Sequence, residues 1–185
     1  MSNKKKVLAI CGSTRQSSSN HQLIAAITNL AADQFDVEPL ENLATIPHFN
    51  PDLDTDLTTV PEPVQEFRRK LAAADGILIC TPEYAMGVPG TLKNAIDWTV
   101  SSMHFSQKPV ALITAATSGL KAHQSLLDTL HVIESYITTD TQLVISGIRV
   151  KVNAQDGITD KDTREQVKKL IIALAENMER VQNRE

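Results

Sequence analysis

Short apolar runs and segments with helical periodicity alternate along the whole chain, and this alternation constrains the fold more than any other feature of the sequence. The runs at residues 7–11, 76–80 and 110–115 contain almost no polar side chains, which is typical of strands buried on both faces of a parallel sheet. Residues 35–40 and a segment within residues 143–152 are weaker candidates for strands. The pattern predicts five strands, with the run at residues 7–11 as the central one.

Apolar residues at helical spacing separate these strands. The spacing predicts five helices, over residues 20–31, 64–71, 89–101, 126–133 and 167–178. Residues 44–61, rich in proline and aspartate, are expected to form a long loop in which Asp52, Asp54 and Asp56 are solvated. Because crossovers between parallel strands are right-handed, few topologies remain. We predict a three-layer α/β fold with helices on both faces of a five-stranded parallel sheet, in the flavodoxin-like order 2-1-3-4-5.

The chain has 185 residues, of which 42% are hydrophobic and 22% charged, enough for one buried core, so residues 1–185 are predicted to form one domain. The formal net charge is −4 and both signs are interspersed, so the sequence lacks the basic stripe that a nucleic-acid partner requires. The apolar run at residues 7–11 is too short for a signal-peptide core or a membrane span. We therefore expect a cytoplasmic protein without a membrane or nucleic-acid partner.

The loop after the first strand is polar and carries one cation. Its candidate ligand residues are Ser13, Arg15, Ser18, Ser19 and Asn20. A helix N-terminus presents unpaired N–H groups and positive partial charge, so hydroxyls and a guanidinium beside it would bind an anion such as a phosphate. An ordinary polar loop, in which Ser19 or Asn20 caps the helix, accounts for the same residues. A Walker loop and a dinucleotide-binding fingerprint are excluded, because Gly12 is the single glycine and no Gly-Lys-Ser/Thr end follows.

Cys11 and Arg15 together suggest the thiolate site of the low-molecular-weight tyrosine phosphatases. Those enzymes place more residues between the cysteine and the arginine, enough to wrap a phosphate, whereas this chain places three. The spacing therefore disfavours a phosphatase. Cys11 and Cys80 end two apolar runs without a CxxC or metal-ligand pattern, so both are predicted to be buried free thiols and no metal site is expected.

A second informative loop follows the third predicted strand. It turns through Pro82, carries Tyr84 and Met86, and turns again from Gly87 before the next helix begins. Prolines and glycines stiffen this backbone and allow it to approach a ligand closely, so a flat heterocycle could lie there. Alternatively, Tyr84 and Met86 only pack against a neighbouring loop or subunit.

The two loops together resemble the NADPH-dependent FMN reductase family, which includes quinone, chromate and azo-dye reductases. The matching residues are Gly12-Ser13-x-Arg15-x-x-Ser18-x-Asn20 and Pro82-Glu83-Tyr84-x-x-x-x-Pro89-Gly90-x-Leu92-Lys93-Asn94-Ala95-Ile96-Asp97-Trp98. Residues 46–53 are also similar to the family's loop after the second strand, so the resemblance spans the chain. It implies a flavodoxin-like flavoenzyme that carries FMN and uses NADPH or NADH to reduce a small-molecule acceptor.

The resemblance also implies which residues form the cofactor site. These are Ser13, Arg15, Ser18, Ser19 and Asn20 around the FMN phosphate, Pro82, Glu83, Tyr84, Ala85, Met86 and Gly87 along the isoalloxazine ring, and Ser118 and Gly119 at the ring edge. Three positions depart from the family pattern. Ala85 stands where relatives commonly have asparagine, Ser118 precedes Gly119 where they usually have a Gly-Gly pair, and Leu127 occupies the place of a later arginine.

In the implied reaction, flavin N5 accepts hydride from the nicotinamide nucleotide and the reduced flavin passes electrons to quinones, free flavin or similar acceptors, so no catalytic side chain is required. A non-catalytic flavodoxin-like electron carrier is the alternative, although such carriers are usually more strongly acidic than this chain. His123 and His131 are expected at the surface or in an interface. Apolar residues surround much of the fourth predicted helix and indicate a homodimer or homotetramer: Leu126, Leu127, Leu130, Val132 and Ile133.

Overall fold

The computed structural model describes residues 4–56 and 58–183, and its main sheet contains five parallel strands in the predicted order β2-β1-β3-β4-β5. The strands are β1 (Lys6–Cys11), β2 (Asp36–Pro39), β3 (Gly76–Thr81), β4 (Val110–Ala116) and β5 (Gln142–Ser146). The central strand is β3, so the prediction that the first strand is central was wrong. β1 lies between β2 and β3, and an apolar run marks any interior strand, because neighbouring strands and the helices on both faces bury it equally.

Five helices cover the two faces of this sheet in the described part of the chain. They are α1 (Ser19–Leu30), α2 (Glu62–Ala73), α3 (Gly90–Asp97), α4 (Leu120–Val132) and α5 (Lys161–Gln182). Side chains of α1 and α5 pack against one face, and those of α2, α3 and α4 pack against the other. The predicted three-layer flavodoxin-like architecture is therefore confirmed. None of these described helices is both long enough and apolar enough to cross a membrane.

Helix α3 is shorter than the predicted range of residues 89–101, because it ends at Asp97. The carbonyl oxygen of Trp98 accepts a hydrogen bond from Nε of Arg68 at 2.9 Å and a shorter one from Nη2. Further along, Met103 and Gln107 have left-handed φ values of 53° and 57°, which a right-handed helix does not contain. The apolar periodicity thus continues past the point where a tertiary hydrogen bond ends the helix.

A small antiparallel hairpin after β5 was not predicted. It consists of β6 (Val152–Asn153) and β7 (Gly157–Ile158). Within its turn, Asn153 Oδ1 accepts the N–H of Asp156 at 2.7 Å, and Gly157 has a φ of 68°. The Asp-Gly pair was a usable hairpin signal, but two-residue strands are too short to show any periodicity.

The long loop of residues 44–61 is fastened to α3 by Asn94 and Trp98. Asn94 Oδ1 accepts the N–H of Phe49 at 2.8 Å, and its Nδ2 donates to the carbonyl oxygen of Pro47 at 2.9 Å. Trp98 Nε1 donates to the same Pro47 oxygen at 2.8 Å, and the rings of Phe49 and Trp98 meet edge to face with centroids 5.0 Å apart. These motif residues therefore pair with backbone groups of the loop and hold it in place.

Asp54 contradicts the prediction of a solvated acidic loop, although Asp52 and Asp56 are exposed as expected. Asp54 Oδ1 lies 2.7 Å from Nη2 of Arg68, and the two side chains are only 6% and 9% exposed. The sequence could not reveal this pair, because nothing in the spacing of α2 shows which loop residue faces Arg68. We call Asp54, Arg68, Asn94 and Trp98 together the loop clasp.

Candidate functional site

A cleft of about 300 Å³ opens at the carboxyl edge of the sheet, where the loops after β1, β3, β4 and β5 meet. Its lining comes from residues 13, 15 and 18–20 after β1, 82–84 after β3, 115–117 at the end of β4 and 147–150 after β5. The two motif-bearing loops of the sequence therefore meet in one place. This is the edge at which parallel α/β sheets bind their ligands.

The residues that the resemblance assigned to the cofactor fall into two groups. Those that line the cleft are Ser13, Arg15, Ser18, Ser19, Asn20, Pro82, Glu83 and Tyr84, and those outside its lining are Ala85, Met86, Gly87, Ser118 and Gly119. Sequence reasoning missed residues 115–117 and 147–150. Their position after β4 and β5 at the same edge was the available signal, but small and apolar residues carry no chemical sign of ligand binding. Arg149 is the exception, because a cationic side chain is a recognisable candidate for binding an anion.

Gly12 allows the first loop to leave β1 close to β3. Its N–H donates to the carbonyl oxygen of Cys80 at 2.8 Å, and a Cβ atom at this position would lie 2.4 Å from Thr81 Oγ1. Any side chain here would therefore push the loop away from the neighbouring strand.

Helix α1 begins at the end of this loop with Ser18 as its N-cap, rather than Ser19 or Asn20. Ser18 Oγ accepts the N–H of Asn20 at 3.2 Å. The exposed Arg15 donates from Nη2 to the carbonyl oxygen of Ser17 at 3.0 Å. The helix N-terminus and a guanidinium therefore share one wall of the cleft, an arrangement that favours an anion.

Asn20 has an incompletely paired amide in the same wall, although the residue is only 3% exposed. Its Nδ2 donates to the carbonyl oxygen of Ala115 at 3.1 Å, which fixes the orientation of the amide because a carbonyl cannot donate. Its Oδ1 has no hydrogen-bond partner; among the described residues, the same holds for one other buried side-chain atom, Oγ of Ser135, outside the cleft. Because buried polar atoms are almost always paired, Oδ1 is an acceptor that is available to a ligand with a hydrogen-bond donor.

The segment after Glu83 forms a tight turn beside the cleft. Tyr84 and Gly87 exchange two backbone hydrogen bonds, of 2.8 and 3.0 Å. Between them, Ala85 and Met86 have φ values of 49° and 63°, the left-handed pair that a type I′ turn requires. Tyr84 is 51% exposed and Met86 is 75% exposed, so the turn presents an aromatic ring and a thioether to solvent.

The carboxylate of Glu83 is bound by helix α4. Its Oε2 accepts the N–H groups of Lys121 and Ala122, both at 2.9 Å. The N-cap of α4 is Gly119, which has a φ of 95° and no side chain to accept these groups. The resemblance implied a place along the isoalloxazine ring, whereas the structure places the Glu83 carboxylate on the end of a helix.

Both cysteines are buried free thiols, as predicted. Burial raises the pKa of Cys11 to about 11 and raises the pKa of Cys80 well above its ordinary value, so neither offers the thiolate that a phosphatase nucleophile needs. His131 is exposed, but His123 is half-buried, with Nδ1 3.0 Å from Thr114 Oγ1, and burial lowers its pKa. His123 is therefore only partly at the surface, because α4 packs it against β4, and its place in an interface stays a prediction.

Comparison with known proteins agrees with this geometry. The family model described as NADPH-dependent FMN reductase matches residues 5–149, a region that contains every residue lining the cleft except Val150. The chain is 32% identical to an NAD(P)H-dependent FMN reductase of Pseudomonas aeruginosa over 179 residues, which cover 94% of this chain and 95% of that protein. It is 29% identical to a quinone reductase of Escherichia coli over 187 residues, which cover 98% and 99% of the two proteins.

A solved structure gives the same result for the fold. The flavoenzyme NAD(P)H:(acceptor) oxidoreductase FerB of Paracoccus denitrificans matches this chain with a TM-score of 0.84 at 27% identity. The match covers 95% of this chain and 98% of FerB. The structural similarity therefore extends over nearly the whole of both chains.

Proposed function

The chain belongs to the NADPH-dependent FMN reductase family and is a flavin-dependent oxidoreductase, and from this premise we propose that its cleft binds FMN and passes electrons from NADPH or NADH to quinones, free flavin or similar small acceptors. Two relatives, an FMN reductase and a quinone reductase, support this class of acceptor. The observation that carries the assignment of the cleft is the buried, unpartnered Oδ1 of Asn20 at the start of α1.

The FMN phosphate would lie at the N-terminus of α1. Ser13, Ser18 and Ser19 supply hydroxyls there, and Arg15 supplies a guanidinium. Arg149 is exposed in the wall after β5, and its side chain makes no hydrogen bond or ion pair within the described part of the chain. Two available guanidiniums suit a phosphoester with more than one negative charge, so we assign Arg149 to the phosphate together with Arg15.

Asn20 would bind the ribityl chain of FMN and not its phosphate, which revises the assignment made from the sequence. Oδ1 is an acceptor, and a deprotonated phosphate oxygen is also an acceptor, so the two cannot pair. A ribityl hydroxyl can donate. The orphaned atom therefore fits the linker between the phosphate and the ring.

The isoalloxazine ring would lie beside Tyr84, between the turn of residues 84–87 and the loop after β4. Bound FMN supplies the redox chemistry, so the protein has to provide position and surroundings. Tyr84, Met86 and Leu120 are 51%, 75% and 65% exposed, and we assign them to an apolar rim at the ring end of the cleft. Such a rim suits a flat, apolar acceptor such as a quinone.

We further propose that the protein acts in the cytoplasm, since free thiols suit a reducing compartment.

We also propose that the protein forms a homodimer or homotetramer. A groove of about 630 Å³ between α3, α4 and the segment after α3 exposes Val100, Met103 and Val132. Leu126 and Leu130 are buried in the core, and Leu127 and Ile133 are partly buried against it, so Val132 is the one largely exposed residue of this apolar set on α4. Light scattering at micromolar concentration should give the mass of a dimer or tetramer, and a monomer would contradict the proposal.

Titration of the flavin-free protein with FMN and with riboflavin, which lacks the phosphate, tests the assignment of the cleft. We expect FMN to bind and riboflavin to bind at least about tenfold more weakly, because charge-assisted contacts to the phosphate are lost. Arg15→Gln and Arg149→Gln should each weaken FMN binding by about tenfold and leave riboflavin binding unchanged. Arg164→Gln is the matched control, since Arg164 is exposed at the start of α5 outside the cleft lining.

Turnover measurements test the reaction. The FMN-loaded protein should oxidise NADPH or NADH in the presence of a quinone faster than free FMN does. A rate equal to that of free FMN would contradict the proposed function. Rapid mixing with NADPH alone separates a reductase from an electron carrier, because only a reductase bleaches its flavin quickly without a protein partner.

A further inference from the structure

We propose that Glu83 is a positioning residue, which sets the spacing between the turn of residues 84–87 and the loop of residues 116–119 at the ring end of the cleft. The inference rests on the proposed flavin site, in which the ring lies between these two segments. Glu83 would act through the backbone that follows it, without touching the ring. Its role is therefore distinct from that of the residues that contact the cofactor.

The contact that carries the proposal joins two loops that are far apart in the sequence. Oε2 of Glu83 accepts the N–H groups of Lys121 and Ala122, both at 2.9 Å, in the first turn of α4. A carboxylate at a helix N-terminus is favoured both by these unpaired donors and by the positive end of the helix dipole. Glu83 thus supplies from another loop the cap that α4 does not make for itself.

Gly119 cannot take over this role. It is the N-cap residue of α4 with a φ of 95°, and a Cβ atom there would lie 3.1 Å from Cγ2 of Thr114. A side chain at this position would meet both backbone strain and a close contact. The cap has to come from outside the helix, and Glu83 provides it.

The loop of residues 116–119 is held on its other side by β5. Ser146 Oγ donates to the carbonyl oxygen of Ser118 at 3.1 Å. The N–H of Gly147 donates to the carbonyl oxygen of Ala116 at 2.9 Å. On the side of β3, the two bonds to Glu83 are the only hydrogen bonds found between residues 82–89 and residues 117–123 of the described chain. Removing the carboxylate would therefore release the turn from the loop while the loop stays attached to β5.

The constraint reaches the ring site over a short and stiff stretch of backbone. Pro82 precedes Glu83 with a fixed φ, and Tyr84 follows it as the first residue of the turn. Two backbone hydrogen bonds between Tyr84 and Gly87 close that turn. A displacement of Glu83 would therefore move Tyr84 and the turn together.

The test compares Glu83→Ala with the wild type in titrations with FMN and with riboflavin. We expect the dissociation constants of both flavins to rise by the same factor, about tenfold, because the change acts at the ring and not at the phosphate. Glu83→Gln keeps an acceptor oxygen at the same reach and should recover most of the affinity. Glu83→Asp is one methylene shorter and should recover less.

Asp160→Ala is the matched control, because Asp160 is also a carboxylate cap. Its Oδ1 accepts the N–H of Thr163 at 2.9 Å at the start of α5, and it lies outside the cleft lining. We expect this variant to lower the melting temperature, as the loss of any helix cap does, and to leave both flavin dissociation constants unchanged. The titrations are made well below the melting temperature of every variant.

Two results would overturn the proposal. If Glu83→Ala lowers the melting temperature but binds both flavins as the wild type does, Glu83 is a helix cap and nothing more. If FMN binding weakens while riboflavin binding does not, Glu83 acts at the phosphate. Should Glu83→Ala fail to fold, Glu83→Gln and Glu83→Asp decide the question, and unchanged affinities in both would reject the proposal.

Failure of the proposed function gives a different result, since the wild type would then bind no flavin. Glu83 is tested in that case by amide hydrogen exchange in the flavin-free protein. We expect Glu83→Ala to accelerate exchange in residues 84–87 as well as at Lys121 and Ala122. Acceleration confined to Lys121 and Ala122 would mean that the two segments are not linked, and the proposal would be wrong.

Discussion

Asn20 and Asn94 both lie on helices in the two motifs that the sequence shares with the family, yet they belong to different parts of the molecule. Asn94 accepts from Phe49 through Oδ1 and donates to Pro47 through Nδ2, so its amide is paired within the protein. Asn20 donates to Ala115 through Nδ2 and leaves Oδ1 without a partner in the cleft lining. Under the proposed function, an unpaired polar atom, more than the type of residue, separates the side chain that binds the ligand from the one that holds the fold.

The arginines of the two regions differ in the same way. Arg68 of the loop clasp is buried and binds the Trp98 carbonyl oxygen and the Asp54 carboxylate. Arg15 and Arg149 of the cleft are exposed, and neither is paired with a carboxylate in the described part of the chain. The polar groups of the loop clasp are thus paired with one another within the protein, whereas those of the cleft are available to a ligand. We therefore expect substitutions in the clasp to lower stability and substitutions in the cleft to lower flavin affinity.

Arg68→Ala should give the largest effect. The change leaves the Asp54 carboxylate buried without its counter-ion and the Trp98 carbonyl oxygen without its donor, so the free energy of unfolding should fall by about 3–5 kcal/mol. Urea unfolding measures this loss. Flavin affinity per folded molecule should stay at the wild-type value, because the clasp lies outside the cleft lining.

Lys70→Ala provides the control for Arg68→Ala on the same helix. Lys70 Nζ lies 3.0 Å from Glu38 Oε1, but the two side chains are 26% and 59% exposed, so water competes for the pair. Its loss should cost at most about 1 kcal/mol. If the Arg68→Ala protein folds but binds flavin more weakly than the wild type, the expectation that the loop clasp affects only stability would be wrong.

Asn94→Ala and Asn20→Ala test the comparison directly. Asn94→Ala removes the acceptor of the Phe49 N–H and one of the two donors to the Pro47 carbonyl oxygen, which keeps Trp98 Nε1. The loss of these two hydrogen bonds should lower the free energy of unfolding by about 1–3 kcal/mol without changing flavin affinity. Asn20→Ala loses one internal hydrogen bond, worth about 1 kcal/mol, and should weaken FMN and riboflavin alike by about tenfold, because both carry the ribityl chain. If Asn20→Ala changes stability alone, Oδ1 does not bind the ligand.

The cleft was easier to predict from the sequence than the loop clasp. Apolar runs and their spacing indicated the order of the sheet, and that order placed the loops after β1 and β3 at one edge. The loop that we propose binds the ligand also gave a signal in the sequence, because the polar residues Ser13, Arg15 and Ser18 follow directly after a buried strand. The clasp gave no such sign. Asp54 and Arg68 are ordinary charged residues until the tertiary fold brings them together.

Contacts between a side chain and the backbone were the hardest to predict. The partners of Glu83 are two N–H groups of α4, and every residue except proline has such a group, so no sequence pattern can identify them. The end of α3 was missed for a related reason, since the Trp98 carbonyl oxygen that binds Arg68 is also a backbone group. The walls after β4 and β5 were missed because small and apolar residues serve a ligand and a core equally well.

Ala85→Asn should change the free energy of unfolding least, and it should raise it instead of lowering it. Ala85 has a φ of 49°, where an alanine costs about 1 kcal/mol and asparagine is better tolerated, so the variant should be about 0.5–1 kcal/mol more stable. Ala25→Asn on the exposed face of α1 is the control, and it should lose about 0.5 kcal/mol, since alanine is the better helix former.

The flavin affinity of Ala85→Asn decides why the family commonly has asparagine at this position. The side chain of residue 85 lies outside the cleft lining and is exposed, so we expect greater stability with unchanged dissociation constants for FMN and riboflavin. That result would assign the asparagine to the left-handed turn, and so to the scaffold. Tighter binding of both flavins would instead show that an asparagine at position 85 contacts the ligand, and the cleft would then extend to the tip of the turn.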